Sequence, residues 1–310
     1  MEEIDKKLYP LRFLDEGEGM PWGHVSYQIA DLGFKDSMIA DGWFGGNTLS
    51  ELMGTYMERV VGDEAFEYYG LQFPLMVKVM DVTGWQPLQV NVPDKIAEER
   101  YDSFGKTAFW YIREASDDAV MYLGLNRDVP AGEFYGRCQD GTVTEVLNEV
   151  RPKKGDCFIL SPGTVFAAGP GLTIIEIAEC SELALNLHGW GRSLPGPEEI
   201  LLEEAFDFID FSRYSPEGAT PQPPVLADCP EFKVTKMELR DPVRMSSEQP
   251  GSFAIYHCLS GEALVDNRVR LKTGHSILLP SELNDYTLFP ASNGTVLLEA
   301  LVGRRETAQP

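Results

Sequence analysis

Basic residues are scarce in this chain. Lys plus Arg number 26 against 49 Asp plus Glu in 310 residues, a formal net charge of −23. A field of that sign repels nucleic acid and anionic membrane surfaces, so neither is expected as a partner. No apolar run approaches the roughly 20 residues that a membrane helix needs. The opening Met1-Glu2-Glu3-Ile4-Asp5 has neither the basic nor the apolar region of a secretory signal, and a cytoplasmic protein is expected. The five cysteines (Cys138, Cys157, Cys180, Cys229 and Cys258) form no CxxC pair, which argues against a zinc ribbon or a disulfide framework. Cys157 and Cys258 sit in apolar runs and read as inert core thiols. There is no GxGxxG, no P-loop, no HExxH and no GxSxG. Gly169-Pro170-Gly171 lacks a third glycine and reads as a tight turn.

What is present is a globular composition, 43% hydrophobic and 24% charged, sufficient for a sizeable core. Short apolar segments bounded by Gly, Pro, Asn and Asp recur at 75–82, 88–92, 109–112, 120–125, 157–160, 172–177 and 183–187. Their length and branched or aromatic content predict the strands of a sandwich or barrel. Two stretches have helical spacing instead. One carries Leu49, Leu52, Met53, Tyr56, Met57 and Val60 on one face and opens with a Thr48-x-x-Glu51 capping box. The other starts at Pro197, with Leu201, Ala205, Phe206 and Ile209 as its stripe. Such Met and aromatic stripes read as packing surfaces rather than cofactor boxes.

Proline is dense between Tyr214 and Pro230, which excludes a helix or a central strand and predicts a connector. Strands resume at 253–259, 262–265, 276–279 and 295–302. The expected organisation is a domain with helical additions over 1–213, a linker over 214–230 and a smaller β domain over 231–310. An internal repeat supports the division: Gly155-Asp156-Cys157-Phe158-Ile159-Leu160-Ser161-Pro162 and Gly274-His275-Ser276-Ile277-Leu278-Leu279-Pro280-Ser281 each place a turn glycine, an apolar strand and a proline turn before another strand. That spacing resembles the second cupin motif, whose last position is a metal-binding histidine in the family; here the positions hold Phe166 and Asp285. An all-β, tandem cupin (jelly-roll β-barrel) fold with a few added helices is expected.

Longer stretches carry a more specific resemblance. Phe73-Pro74-Leu75-Met76-Val77-Lys78-Val79-Met80-Asp81, Pro87-Leu88-Gln89-Val90-Asn91, Gly105-Lys106-Thr107-Ala108-Phe109-Trp110-Tyr111-Ile112, Gly163-Thr164-Val165-Phe166 and Trp190-Gly191-Arg192 resemble, in order, the core of the type I mannose-6-phosphate isomerase family. Tyr9-Pro10-Leu11, Pro21-Trp22-Gly23 and Thr48-Leu49-Ser50-Glu51-Leu52 fit its N-terminal part. The resemblance implies interconversion of mannose 6-phosphate and fructose 6-phosphate by proton transfer through an enediol. It also implies a metal, usually zinc, held by Gln, His, Glu and His. The corresponding positions here are Gln89, Asn91, Ala108 and Phe166, so a single ligand type survives. Catalytic zinc takes three protein ligands from imidazole, carboxylate and thiolate, and this set supplies none of them. The expectation is therefore a site without metal or other cofactor, zinc entering only if other ligands replace the lost ones.

His188, with Glu176 and Glu179 on the preceding segment, is the candidate for such a replacement; its competing reading is an ordinary hydrogen-bonded histidine. Arg192, Lys106 and Lys78 are the cations able to hold a phosphate or carboxylate, or else they form structural ion pairs with the abundant carboxylates. Ala178, Asn186 and Gly189 also depart from the family. Three readings follow. The first is a metal-free relative that binds a sugar or sugar phosphate through Gln89, Asn91, Lys106 and Arg192. The second is an active isomerase with substitute ligands, in which Arg192 and Lys106 are catalytic. The third is a structural or interaction protein with a filled barrel.

Overall fold

The computed structural model describes residues 6–192, 200–215, 223–246 and 252–303. The apolar segments become strands β1 (Glu16–Met20), β2 (Gly23–Ile29), β3 (Leu75–Val82), β4 (Leu88–Asn91), β5 (Ala108–Ala115), β6 (Met121–Leu125), β7 (Leu147–Val150), β8 (Cys157–Leu160), β9 (Val165–Ala168), β10 (Leu172–Glu179) and β11 (Ala184–His188). They are followed by β12 (Val225–Asp228), β13 (Phe232–Leu239), β14 (Val243–Ser246), β15 (Ala254–Ser260), β16 (Glu262–Val265), β17 (Val269–Lys272), β18 (Ser276–Leu279), β19 (Asp285–Pro290) and β20 (Thr295–Val302). Helical segments are α1 (Leu49–Tyr56), α2 (Glu58–Val61), α3 (Asp63–Tyr69), α4 (Asp94–Tyr101), α5 (Ala131–Asp140) and α6 (Leu202–Ala205). None of the described helices is long and apolar enough to cross a membrane.

The strands form four sheets: β1-β2-β3-β10-β5-β8, β11-β4-β9-β6-β7, β12-β13-β20-β15-β18 and β14-β19-β16-β17. The order β3-β10-β5-β8 repeats as β13-β20-β15-β18, and β4-β9-β6-β7 as β14-β19-β16-β17. Eight strands thus recur in one connectivity, each ten places later, which is the tandem jelly roll expected from the sequence. The repeated motif marks the same point in both copies: Gly155 (φ 92) and Gly274 (φ 83) occupy the left-handed region before β8 and β18.

The residues divide into two compact units. One comprises Met1–Glu16, Tyr27–Val77 and Thr220–Pro310; the other comprises Gly17–Ser26 and Lys78–Ala219. In the first unit the capping box at α1 is formed, with Thr48 Oγ1 accepting from Glu51 N (3.3 Å) and Glu51 Oε2 accepting from Thr48 N (3.0 Å). The expected helix face holds for Leu49, Leu52, Met53 and Val60, all buried, but not for Met57, which is 38% exposed. The helix breaks at Met57 (φ 45) and again at Gly62 (φ 91). Arg59, between the breaks, pairs with Glu282 at 2.7 Å, a contact that helical spacing alone does not anticipate.

The helix expected from Pro197 is shorter than its stripe. Pro197 lies outside the described residues, and α6 covers Leu202–Ala205 alone. Leu201 N donates to Asn186 O (2.8 Å) and Ile200 bridges Asn186, so these two residues pair with β11 instead of joining the helix. Ala205 and Ile209 are buried as expected. The proline-rich interval also gives up its last residues to a strand. β12 lies at a sheet edge, where a chain rich in prolines costs no central ladder bond.

In the second β-barrel Glu299 on β20 faces Tyr256 on β15, whose hydroxyl donates to Glu299 Oε1 (2.6 Å) and contacts the Tyr286 hydroxyl (2.8 Å). Burial raises the Glu299 carboxyl above the usual carboxylate range, the Tyr256 bond opposing it. The folded state therefore holds this proton more tightly than the unfolded chain, and the stability it contributes falls as pH rises above about 4.5. Glu299→Gln is expected to flatten that dependence. As pH rises above the ordinary carboxylate range, the melting temperature of the wild type should fall relative to the variant. Parallel curves would place the carboxyl in its ordinary range.

Candidate functional site

β4 alternates, so Gln89 and Asn91, two residues apart, share a face. Gln89 is half-buried, and its Nε2 donates to Asn186 Oδ1 on the neighbouring β11 (2.9 Å). Asn91 is fully buried. Its Nδ2 donates to Leu160 O (3.3 Å), while its Oδ1 has no partner. Leu160 is the register partner of Ala108, and Phe166 is the register partner of Gln89. Strand pairing thus sets Gln89 opposite Phe166, and Asn91 bonds the carbonyl of the residue opposite Ala108. Ala108 has 0% exposure and Phe166 has 4%, its ring edge-on to Trp110 with centroids 5.5 Å apart.

Beside these residues lies a buried ionic array. β10 runs between β3 and β5, so Glu176 on β10 is flanked by Lys78 on β3 and by Lys106 just before β5. Glu176 Oε1 is 3.1 Å from Lys78 Nζ and 3.2 Å from Lys106 Nζ, and Glu176 Oε2 accepts from Trp110 Nε1 at 2.6 Å. Glu182, beyond the end of β10, closes the ring at 2.5 Å from Lys78 and 2.7 Å from Lys106. Two lysines and two glutamates leave no net charge. Burial pushes the Glu182 carboxyl up, but Lys106 and Lys78 outweigh it and bring it to about 2. Glu176 is lowered by the same balance. Lys78 is raised, because Glu176 and Glu182 overcome the effect of its burial. The equivalent of Glu176 in the second barrel is Glu299, and that of Trp110 is Tyr256: each barrel keeps one buried carboxylate with an aromatic donor across the same strand pair.

No protein-family model matches the chain. It is 27% identical over 284 residues to the mannose-6-phosphate isomerase ManA of Bacillus subtilis, covering 87% of this chain and 86% of that protein. It is 25% identical over 271 residues to the mannose-6-phosphate isomerase of Streptococcus mutans, covering 81% and 80% respectively. The crystal structure of the Bacillus subtilis mannose 6-phosphate isomerase superposes with a TM-score of 0.80 at 22% identity, over 94% of this chain and 99% of that one.

The chain is similar in sequence to mannose-6-phosphate isomerases and shares the fold of one of them. The likeness in fold extends over both barrels, since 94% of this chain superposes.

The remaining residues named from the sequence are placed as follows. Arg192 is exposed; its guanidinium donates to the carbonyls of Trp85 (2.5 Å) and Gly189 (3.3 Å). Those acceptors are neutral, and Arg192 has no ion-pair partner among the described residues. Trp85 stacks on Tyr122 (5.0 Å between centroids) and leans on Trp190 (5.5 Å), giving this end of the barrel an aromatic wall. His188 is half-buried and edge-on to Trp190 (5.1 Å), and burial pushes its pKa down. The replacement metal cluster of His188, Glu176 and Glu179 is not formed. Glu176 is engaged by lysines, Glu179 Oε2 accepts from Thr107 N (2.8 Å), and among the described residues no three His, Cys, Asp or Glu side chains are grouped to hold a metal ion. Lys78 and Lys106 take the ion-pairing role that was their competing reading. Glu182 was not anticipated: it lies past its strand, and no spacing in the sequence ties it to Lys78, 104 residues away.

Proposed function

We propose that this chain is a mannose-6-phosphate isomerase-like protein that binds a sugar or sugar phosphate without a metal ion and does not isomerise it. The donor set carries the reading. Zinc taking three or four N, O or S ligands finds no donor at Ala108 or Phe166, and Gln89 and Asn91 offer only neutral carboxamide oxygens. The Asn91 carboxamide oxygen is a neutral acceptor in a buried position. These residues do not fit the metal. They do fit hydroxyl groups, which donate and accept in the way amides do. Gln89 and Asn91 supply carboxamide acceptors and Arg192 an exposed guanidinium for an anionic substituent, while Lys106 stays paired with Glu176 and Glu182. The protein would act on small molecules in the cytoplasm.

Titration calorimetry at low ionic strength, across hexoses, hexose 6-phosphates and sugar acids, tests this. Binding is expected near the millimolar range, a free energy of about −4 kcal/mol. For phosphorylated members the salt dependence should vanish in Arg192→Ala. Near-stoichiometric zinc in the purified protein together with turnover of mannose 6-phosphate would instead establish the isomerase. Heat from no member would leave the filled-barrel reading, for which the close packing of Phe166 against Trp110 is the favouring observation.

A further inference from the structure

Far in sequence from those residues, three segments of the first unit enclose a cavity of about 410 Å3. The N-terminal segment is held beside β18 by paired bonds between Leu11 and Leu278 (2.8 and 2.9 Å), and beside 38–40 by bonds from Leu14 N to Met38 O and from Ala40 N to Arg12 O (2.8 Å each). This brings Arg12, Asp15 and Asp41 to face Arg270, Lys272 and His275, with Gln28 alongside. Arg270 and Lys272 project from the same face of β17 on either side of buried Leu271.

Charge distinguishes this cavity. In the chain as a whole carboxylates outnumber basic groups 49 to 26, yet the lining holds Arg12, Arg270 and Lys272 against Asp15 and Asp41. Arg12 is paired with Asp41, Arg270 Nε lies 2.8 Å from Glu262, and Asp15 Oδ1 accepts from Gln28 Nε2 at 3.3 Å. The side chains of Lys272 and His275 have no hydrogen-bond or ion-pair partner among the described residues. An ammonium and an imidazole therefore border a cavity of ligand size with their donors unspent.

We propose that this cavity binds a small organic anion, carrying a carboxylate or a phosphate, with Lys272 and His275 as its principal contacts. A charge-assisted bond to an ammonium is about twice as strong as a neutral one, and the site offers it in a molecule that otherwise repels anions. Such a ligand would link the N-terminal segment to the second barrel and stabilise their contact by mass action.

Inorganic phosphate and acetate are the probes, and glucose is the neutral control. Each is titrated into the full chain at constant ionic strength and followed by backbone amide shifts. Saturable shifts around residues 12–15 and 272–276 are expected with an anion below roughly 10 mM, and none with glucose. A response to phosphate alone marks a phosphoryl ligand; an equal response to acetate marks a carboxylate. The double variant Lys272→Gln, His275→Gln should bind about tenfold more weakly or worse, and Asp15→Asn, which removes a repelling charge, more tightly. Unaltered affinity in the double variant, equal shifts with glucose, or no shift with either anion would overturn the proposal. Lys272 is exposed, so unchanged melting of the variants is the check on folding.

Discussion

Lys106→Met is expected to destabilise the protein by about 3–5 kcal/mol, because it leaves two buried carboxylates facing one lysine. Lys106 is 4% exposed and touches both Glu176 and Glu182. Methionine replaces the length of the side chain but not its charge, so the remaining repulsion between the glutamates is uncompensated. Adding Glu182→Gln to Lys106→Met should recover part of the loss, since one carboxylate then again matches one ammonium. The same array makes the protein acid-labile. With the folded Glu182 pKa near 2 against an ordinary 4.5, its contribution is full above about 4.5 and disappears as pH falls toward 2. That contribution is on the order of 3 kcal/mol. Urea denaturation of the wild type and both variants from about pH 3 to pH 7 measures it. Equal stabilities for wild type and Lys106→Met would mean that the array contributes nothing.

Asn91→His, Ala108→Glu and Phe166→His together are expected to turn a protein whose melting ignores zinc into one that zinc stabilises. The three substitutions put imidazole, carboxylate and imidazole beside Gln89, on positions already linked by strand register and by the Asn91–Leu160 bond. At a hundredfold excess over its dissociation constant, zinc should add about 2.7 kcal/mol to the variant. Without metal the variant should be weaker than the wild type. Ala108 is fully buried, so a glutamate there must displace its neighbours, and His at 166 gives up apolar contact with Trp110, each change costing about 1–3 kcal/mol. Calorimetric zinc titration of both proteins is the measurement. A folded variant that binds no zinc would show that these four positions do not correspond to the family's ligands. A zinc-dependent rise in the wild type that is lost in His188→Ala would show a site elsewhere.

Local patterning was sufficient for much of this molecule. Strands 75–82, 157–160, 262–265, 276–279 and 295–302 were legible to the residue, because short apolar runs between glycine and proline turns have few other structures available. The repeat of Gly155–Leu160 in Gly274–Leu279 carried the duplication, since both copies need a left-handed glycine before the same strand. The chemical identities Gln89, Asn91, Ala108 and Phe166 are likewise properties of the sequence, and the absence of donors at two of them needs no coordinates. Other features needed the fold. Met57 was read onto a buried helical face that the chain leaves at that residue, where tertiary contacts of Arg59 and Val60 outweigh helix continuation. Lys78, Lys106, Glu176 and Glu182 span more than a hundred residues, and their ring exists because β10 is inserted between β3 and β5. Whether a lysine in an acidic chain is a free ligand group or half of an ion pair depends on distance and burial. Sequence order contains neither, because the Coulomb energy that decides it acts through space.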